Sequence, residues 1–551
     1  MKLSTELHAT LARLNAALMQ GREGEIEDCL RSANTAQLLC QETIEAVRAR
    51  QKIPLTLFLS TLAVANEVSP KRAQTWLDCY QSVTKKGLIG QLASLGTRNV
   101  LCATVESLIS AKPLLPGQLK TCDGTHQHWH DAFELLVDYR AWESAINLAT
   151  RLSGKKIETL RWLNISKALV NRFEFYVDNS GQAQVDVDYK ALARLYALCA
   201  SAAKNARALD ACHTLIYLGA RCLEVAGDYS LAIERFRSHI QPSQRISRRI
   251  DIARCFCKSG NIPLAIAELD EAIALTKIED LSAQSSNDLA DGLTAPKREE
   301  PRFNVEKASL ALKHLTGVCE QRGLQVFLVS GTLLGYAREG KLLDHDKDID
   351  VGIIGWEKQY DICMALQTSG LFTVSAGYLE GHRSHYIPIR HNSTGLWIDL
   401  FVYHEVDDKL VTGVDFFFGY RQTFAFTPFS LAPVKFLGVD MYVPGDIDLN
   451  LTENFGNWRV PDASYLSHLE SPSTTDKGGQ AHMLTARIHA IGYVMNKNPV
   501  KVRKVIEILH AFKDSPWAMN PTLLNHLESI YTKLELRDGQ TASVKESGPH
   551  A

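Results

Sequence analysis

Over residues 1 to about 280, apolar positions recur at intervals of three and four, and Gly or Pro falls mainly between the runs. That spacing puts apolar side chains on one stripe of a 3.6-residue period, so this half reads as a succession of amphipathic helices. The rhythm breaks at 173–188, FEFYVDNSGQAQVDVD, where Asn179-Ser180-Gly181 predicts a small hairpin or a loop. It fails altogether over 282–301, SAQSSNDLADGLTAPKREEP, which reads as a linker. A helix is expected over 305–321, a strand over 325–329 and a second helix over 356–367. Strands then dominate, over 372–376, 385–390 and 396–403, with a hairpin across 410–426, before helical spacing returns at 478–496, 499–513 and 521–536. The polar tail 537–551 has too little apolar content to pack and is expected to be disordered. The chain therefore divides into an all-α region (1–281), a linker (282–301), an α+β domain with a mixed sheet (302–536) and a tail.

Within the helical half, the segment from Ala220-Arg221-Cys222 to Leu231-Ala232-Ile233 can be laid on the one from Ala253-Arg254-Cys255 to Leu264-Ala265-Ile266. The offset is 33 residues, with Gly227 and Gly260 at equivalent turns, and a weaker echo lies at 139–146. Two helices about a glycine turn at this period resemble a tetratricopeptide repeat, which implies a stacked array with a concave face for a polymer or partner protein. His126, His128 and His130 follow Cys122 and Asp123. Histidines two apart do not converge on a helix or a strand, so a polar helix-entry loop is a better reading than a zinc site.

The chemistry concentrates in LVSGTLLGYAREGKLLDHDKDID, residues 328–350. The apolar strand stops at Ser330-Gly331-Thr332, where a glycine lets backbone approach a ligand such as a phosphate. In Asp348-Ile349-Asp350-Val351 acid and aliphatic alternate, so a strand presents both carboxylates on one face and sends Ile349 and Val351 to the core. A third acid, Asp399, interrupts the apolar strand LWIDLF. A buried carboxylate is costly unless paired or metal-bound. Three acids that share Mg²⁺ or Mn²⁺ would explain the pattern, because these ions take oxygen ligands and keep positions for substrate phosphates.

Through GTLLGYAREGKLLDHDKDID at 331–350, WIDLF at 397–401 and, less specifically, Tyr442-Val443-Pro444 to Phe455-Gly456-Asn457-Trp458, the chain resembles the LicD and fukutin-related family of the nucleotidyltransferase fold. The resemblance spans roughly residues 300–470. It implies transfer of a phosphorylated alcohol, such as ribitol phosphate, glycerol phosphate or phosphocholine, from a CDP-linked donor to a glycan or capsular polysaccharide hydroxyl. By the same resemblance Asp348, Asp350 and Asp399 are metal ligands, with Asp399 also near the acceptor hydroxyl as a base. Ser330, Gly331, Thr332 and Arg338 would contact donor phosphate, Arg338 through its planar fork. Here Asp346 keeps an acid that the family has before the pair, while His345 and Lys347 depart from its pattern. Lys341, His382, His385, Arg390 and His391 are weaker candidates for donor or acceptor contacts.

Composition narrows the alternatives. A hydrophobic content of 45% and a formal charge of −2 argue against a nucleic-acid partner or an anionic-membrane surface. Twelve scattered cysteines without a CxxC pair fit reduced, buried thiols. Glu6, His8 and Arg13 interrupt any signal-like apolar run, and no stretch is long and uncharged enough to span a bilayer. A cytoplasmic enzyme, peripheral to an envelope polysaccharide assembly complex, is the expectation. The competing functions are an NTP-dependent nucleotidyltransferase acting on a small molecule, and an inactive scaffold protein that binds through its repeats.

Overall fold

The computed structural model describes residues 98–110, 112–153, 169, 187–238, 245–277, 304–343, 348–355, 357–374, 384–416 and 418–546. The chain forms two compact units, one of residues 1–178 with 182–239 and one of 179–181 with 240–551. No helix among the described residues is long and apolar enough to cross a membrane.

In the first unit a two-residue parallel pair, β1 (Arg98–Asn99) and β2 (Cys122–Asp123), accompanies α1 (Val100–Ser110), α2 (Pro116–Lys120), α3 (His126–Asp138) and α4 (Trp142–Ser153). Helices α5 (Tyr189–Asn205), α6 (Leu209–Val225) and α7 (Tyr229–Ser238) follow, and each packs on the next. The turn between α6 and α7 passes through Gly227 at φ 76°, a backbone state that a Cβ disfavours. Asp228 then caps α7 by accepting the Leu231 N–H.

Residues 33 positions later repeat this device. Helices α8 (Arg245–Lys258) and α9 (Ile262–Leu275) are joined through Gly260 at φ 81°, and Asn261 caps α9 by accepting the Leu264 N–H. The two helix hairpins that the sequence pairs are thus built alike, yet the second belongs to the C-terminal unit. Ile250, Ala253 and Leu269 share a core with Met483, Leu484, Val505 and Leu527 of helices beyond the sheet. The boundary expected at 282–301 is therefore corrected to about 239, because the apolar face of α8 and α9 is buried against C-terminal helices rather than against more repeats. The 173–188 interruption lies almost wholly outside the described residues, as does the expected linker.

The sheet begins after α10 (Val305–Glu320) and holds nine strands: β3 (Phe327–Leu328), β4 (Ile349–Ile354), β5 (Phe372–Val374), β6 (Tyr386–His391), β7 (Trp397–Val406), β8 (Lys409–Phe416), β9 (Tyr420–Phe426), β10 (Leu431–Phe436) and β11 (Val439–Pro444). Its main order is β10-β11-β3-β4-β7-β6-β5, with β8 and β9 added along the far half of β7. Pairs β11–β3 and β4–β7 are parallel and the rest antiparallel, which makes the expected mixed sheet. One core joins strand residues such as Ile349, Val351, Ile398 and Leu400 to α10, α11 (Ser330–Glu339) and α12 (Lys358–Thr368).

After the sheet come α13 (Ile447–Phe455), the short α14 (Ser467–Glu470), α15 (Gln480–Met495), α16 (Pro499–Ala511) and α17 (Pro521–Glu546). The last helix continues past 536, so the disordered tail expected from 537 is corrected: residues up to Glu546 extend a helix already nucleated by packing, and propagation costs far less than nucleation. The aromatic run near 416–426 is core material. Phe418 and Tyr420 pack with the C-terminal helices, and Phe424 and Phe426 with Phe327 and Tyr403.

Candidate functional site

Strand β4 alternates as its sequence demands, with Ile349 and Val351 fully buried and Asp350 half-buried between them. Its parallel neighbour β7 does the same about Asp399, and the register sets Asp350 directly opposite Asp399. Asp348 lies one strand repeat before Asp350 and shares its face. Each of the three offers a carboxylate oxygen within 4.8 Å of the other two. Burial of Asp399 is less than its apolar context implied: the residue is half-exposed, on the same face as Trp397 and Phe401, while its neighbours Ile398 and Leu400 fill the core.

The glycine turn has a different task from the one expected. Ser330 sits at φ 47° and starts α11 so that the Gly331 N–H donates to Asp350 Oδ2 at 2.8 Å. The Thr332 hydroxyl is fully buried and accepts the Asp350 backbone N–H, also at 2.8 Å. The Gly331 amide thus holds the Asp350 carboxylate and the Thr332 hydroxyl holds the Asp350 backbone. The N-terminal, positive end of the α11 dipole meets the same carboxylate. Close packing behind it depends on Gly335, where a Cβ would come within 2.5 Å of the Lys341 carbonyl.

Tyr386 was not singled out by the sequence. It lies on β6, and its phenol donates to Asp399 Oδ1 at 3.0 Å. An antiparallel neighbour of an apolar strand has no motif of its own, so only the pairing of β6 with β7 reveals it. Nearby, burial and the Asp350 charge push the Tyr403 phenol far up, which keeps it neutral beneath the acids.

Arg338 stands eight residues along α11 from Ser330, about 12 Å of helical rise. Its Nη2 donates to the Trp458 carbonyl, which ties α11 to the Phe455-Gly456-Asn457-Trp458 segment. Its Nε is buried without a hydrogen-bond partner among the described residues. Two of the weaker candidates are histidines set against other histidines. His391 is fully buried, with Nε2 facing His314 Nδ1 at 2.9 Å, and burial followed by His314 lowers its pKa. His385 packs on His404 at 4.6 Å between ring centres; burial first, then Arg421 and His404, lower its pKa to about 4. Arg390 and Lys341 are exposed, with Lys341 3.3 Å from Glu339. Residues 344–347 and His382 lie outside the described residues. At the other end of the chain, His126 and His130 belong to α3 itself rather than to a loop before it, and the His128 imidazole closes a capping box with Thr125.

Three like charges at this separation repel by about 3 kcal/mol per pair at an effective dielectric constant of about 20. A hard divalent cation is the natural counter-charge for an all-oxygen, half-exposed donor set, so the residues fit Mg²⁺ or Mn²⁺. The mixed sheet thus carries acids on adjacent parallel strands, and a helix start clamps one of them. Residues 323–446 match the family model LicD/FKTN/FKRP, nucleotidyltransferase domain, and this part of the chain is a LicD-type domain. The ribitol-5-phosphate transferase FKTN of Mus musculus is 27% identical over 167 residues, which is 30% of this chain and 34% of that protein. The protein of the same description from Homo sapiens is 26% identical over 142 residues, 25% of this chain and 30% of its own length. The chain thus matches about a third of the length of these curated relatives.

Proposed function

We propose that the C-terminal unit is a divalent-metal-dependent phosphotransferase that moves a phospho-alcohol of the ribitol phosphate kind from a CDP-linked donor to a glycan hydroxyl. The observation that carries this reading is the convergence of Asp348, Asp350 and Asp399 inside the matched LicD-type domain. The relatives' description as ribitol-5-phosphate transferases supports the class of group transferred.

A bound Mg²⁺ or Mn²⁺ would neutralise the donor diphosphate and polarise the phosphoryl group under attack. Asp348, Asp350 and Asp399 would hold it. The Gly331 amide holds the Asp350 carboxylate, and the Thr332 hydroxyl holds the backbone of the same strand residue. Asp399 accepts the Tyr386 hydroxyl at Oδ1, and its carboxylate would help hold an ion or take the proton of the acceptor hydroxyl. Arg338, anchored by Nη2, keeps a buried Nε–H for a donor phosphate. Ser330, at the same turn with φ 47°, would face the donor. Phosphoryl transfer asks mainly for such positioning and charge neutralisation.

In the wider proposal the enzyme works in the cytoplasm beside an envelope polysaccharide or capsule assembly, and the tetratricopeptide-like helices engage the polymer or a protein. An NTP-dependent nucleotidyltransferase would use the same acids, so the donor decides between the readings. Thermal-shift titration with Mn²⁺ should show stabilisation by CDP-ribitol or CDP-glycerol beyond that by CTP or ATP, and Asp350→Asn should abolish both the shift and transfer while leaving the circular dichroism unchanged. Stabilisation by NTPs alone would reverse the assignment, and undiminished transfer by Asp350→Asn or in excess EDTA would remove the metal role.

A further inference from the structure

The N-terminal unit holds a concavity of about 570 Å³ formed by α5, α6 and α7, far in sequence from the LicD-type domain. Its floor is made of buried small and aliphatic side chains, among them Ala193, Ala200, Leu215 and Leu223. Its rim carries four exposed cations: Lys190, Arg194 and Lys204 on one face of α5, and Arg235 on α7. Among the described residues no acidic and no aromatic side chain lines it.

These features select among ligand classes. A nucleotide or a single lipid headgroup would need its cations clustered, but Lys190 and Lys204 are separated by about 21 Å of helical rise. A glycan would be expected to meet aromatic faces and many polar donors, whereas this floor is aliphatic. A ligand with an apolar face, acidic edges and a length of about 14 helical residues matches both the floor and the rim. Small residues on the floor allow a helix backbone to come close, and the one-signed rim would steer an acidic partner and fix its register.

We propose that this groove docks an acidic amphipathic helix of a partner protein. The site is independent of the chemistry assigned to the C-terminal unit. Its occupation would recruit the partner through the first unit and leave the carboxylate site untouched.

The test is fluorescence anisotropy with the full chain and a labelled, lactam-stapled 16-residue peptide that carries Leu at i, i+3, i+7 and i+10 and Glu along both flanks. A scrambled peptide of the same composition is the control. Saturable binding is expected for the ordered peptide only, weakened at least tenfold by Arg194→Glu with Lys204→Glu and likewise by Ala197→Trp, which fills the groove without changing charge. The rim cations are exposed, so the charge variants should keep the wild-type circular dichroism and melting point. Equal binding of the scrambled peptide, or an affinity indifferent to both kinds of variant, would overturn the proposal. So would retention on phosphatidylglycerol vesicles that the same variants abolish while the ordered peptide fails to bind, which would make the groove a site for an anionic amphiphile.

Discussion

Asp399 is the acid whose environment differs most from what its flanking sequence implied. Its Oδ1 accepts the Tyr386 hydroxyl, and one of its carboxylate oxygens lies within 4.8 Å of those of Asp348 and Asp350. Partners that orient a metal ligand commonly matter about tenfold or more for affinity. Tyr386→Phe should therefore weaken Mn²⁺ binding by about tenfold in calorimetry or electron paramagnetic resonance, with the fold intact. An unchanged Mn²⁺ affinity would reduce Tyr386 to packing on Phe401. Arg338 has two tasks to separate, since one nitrogen holds the Trp458 carbonyl and another is buried and unsatisfied. Lysine keeps the charge but cannot serve both directions. Arg338→Lys should slow transfer by about ten- to a hundredfold, roughly 1.4 kcal/mol per decade, with a raised KM for the donor. A lowered melting temperature with normal donor kinetics would instead assign Arg338 to the α11–Trp458 tie alone.

At the scale of elements, the C-terminal helices pack around neutral histidines. Burial lowers the pKa of His468 to about 4, and burial followed by His468 and Lys501 lowers that of His489 to about 3. The rings lie 6.1 Å apart, His468 against Phe416 and His489 bonded to Tyr493 at 2.8 Å. In the unfolded chain both would protonate near the ordinary histidine value of about 6.5. The folded state binds those protons only at lower pH, so the stabilisation is complete above about pH 6.5 and is lost as the pH falls toward 4 and 3. Each histidine contributes up to about 1.4 kcal/mol per pH unit within that window. Urea midpoints should drop between pH 7 and pH 4.5, and His468→Phe should flatten that dependence. A variant with the same pH slope as the parent would show that other groups carry it.

For the whole molecule, the division into units decides which fragment should fold by itself. Helix α9 is bound to the C-terminal helices by the Arg487–Asp270 ion pair, in which Arg487 is only 1% exposed and also donates to the Met483 and Trp517 carbonyls. Leaving such a guanidinium without its carboxylate costs about 3 kcal/mol, and removal of α8 and α9 uncovers a large apolar face as well. A fragment beginning at 300 should be insoluble or molten, whereas one beginning at 240 should be monodisperse and melt cooperatively. A soluble, cooperatively melting 300–551 fragment would contradict this account.

Local pattern alone determined a good deal. Helical spacing and strand alternation located α10, α12, the strands from β3 to β9 and helices α15 and α16 to within a few residues. The alternation of Asp348 and Asp350 and the lone acid of β7 announced the constellation, because side-chain period and burial cost are properties of a single strand. The hairpin of β10 and β11 and helix α13 were missed, since their apolar residues are interspersed with turn formers and Pro433. Tertiary structure alone decided that Asp350 faces Asp399, that the Gly331 amide and Thr332 hydroxyl serve Asp350, and that Tyr386 serves Asp399. It also decided that one of two helix hairpins with the same glycine turn joins the C-terminal unit. These outcomes depend on which strand or helix lies alongside, and that choice is made by non-local burial, which a pattern read along one segment does not contain.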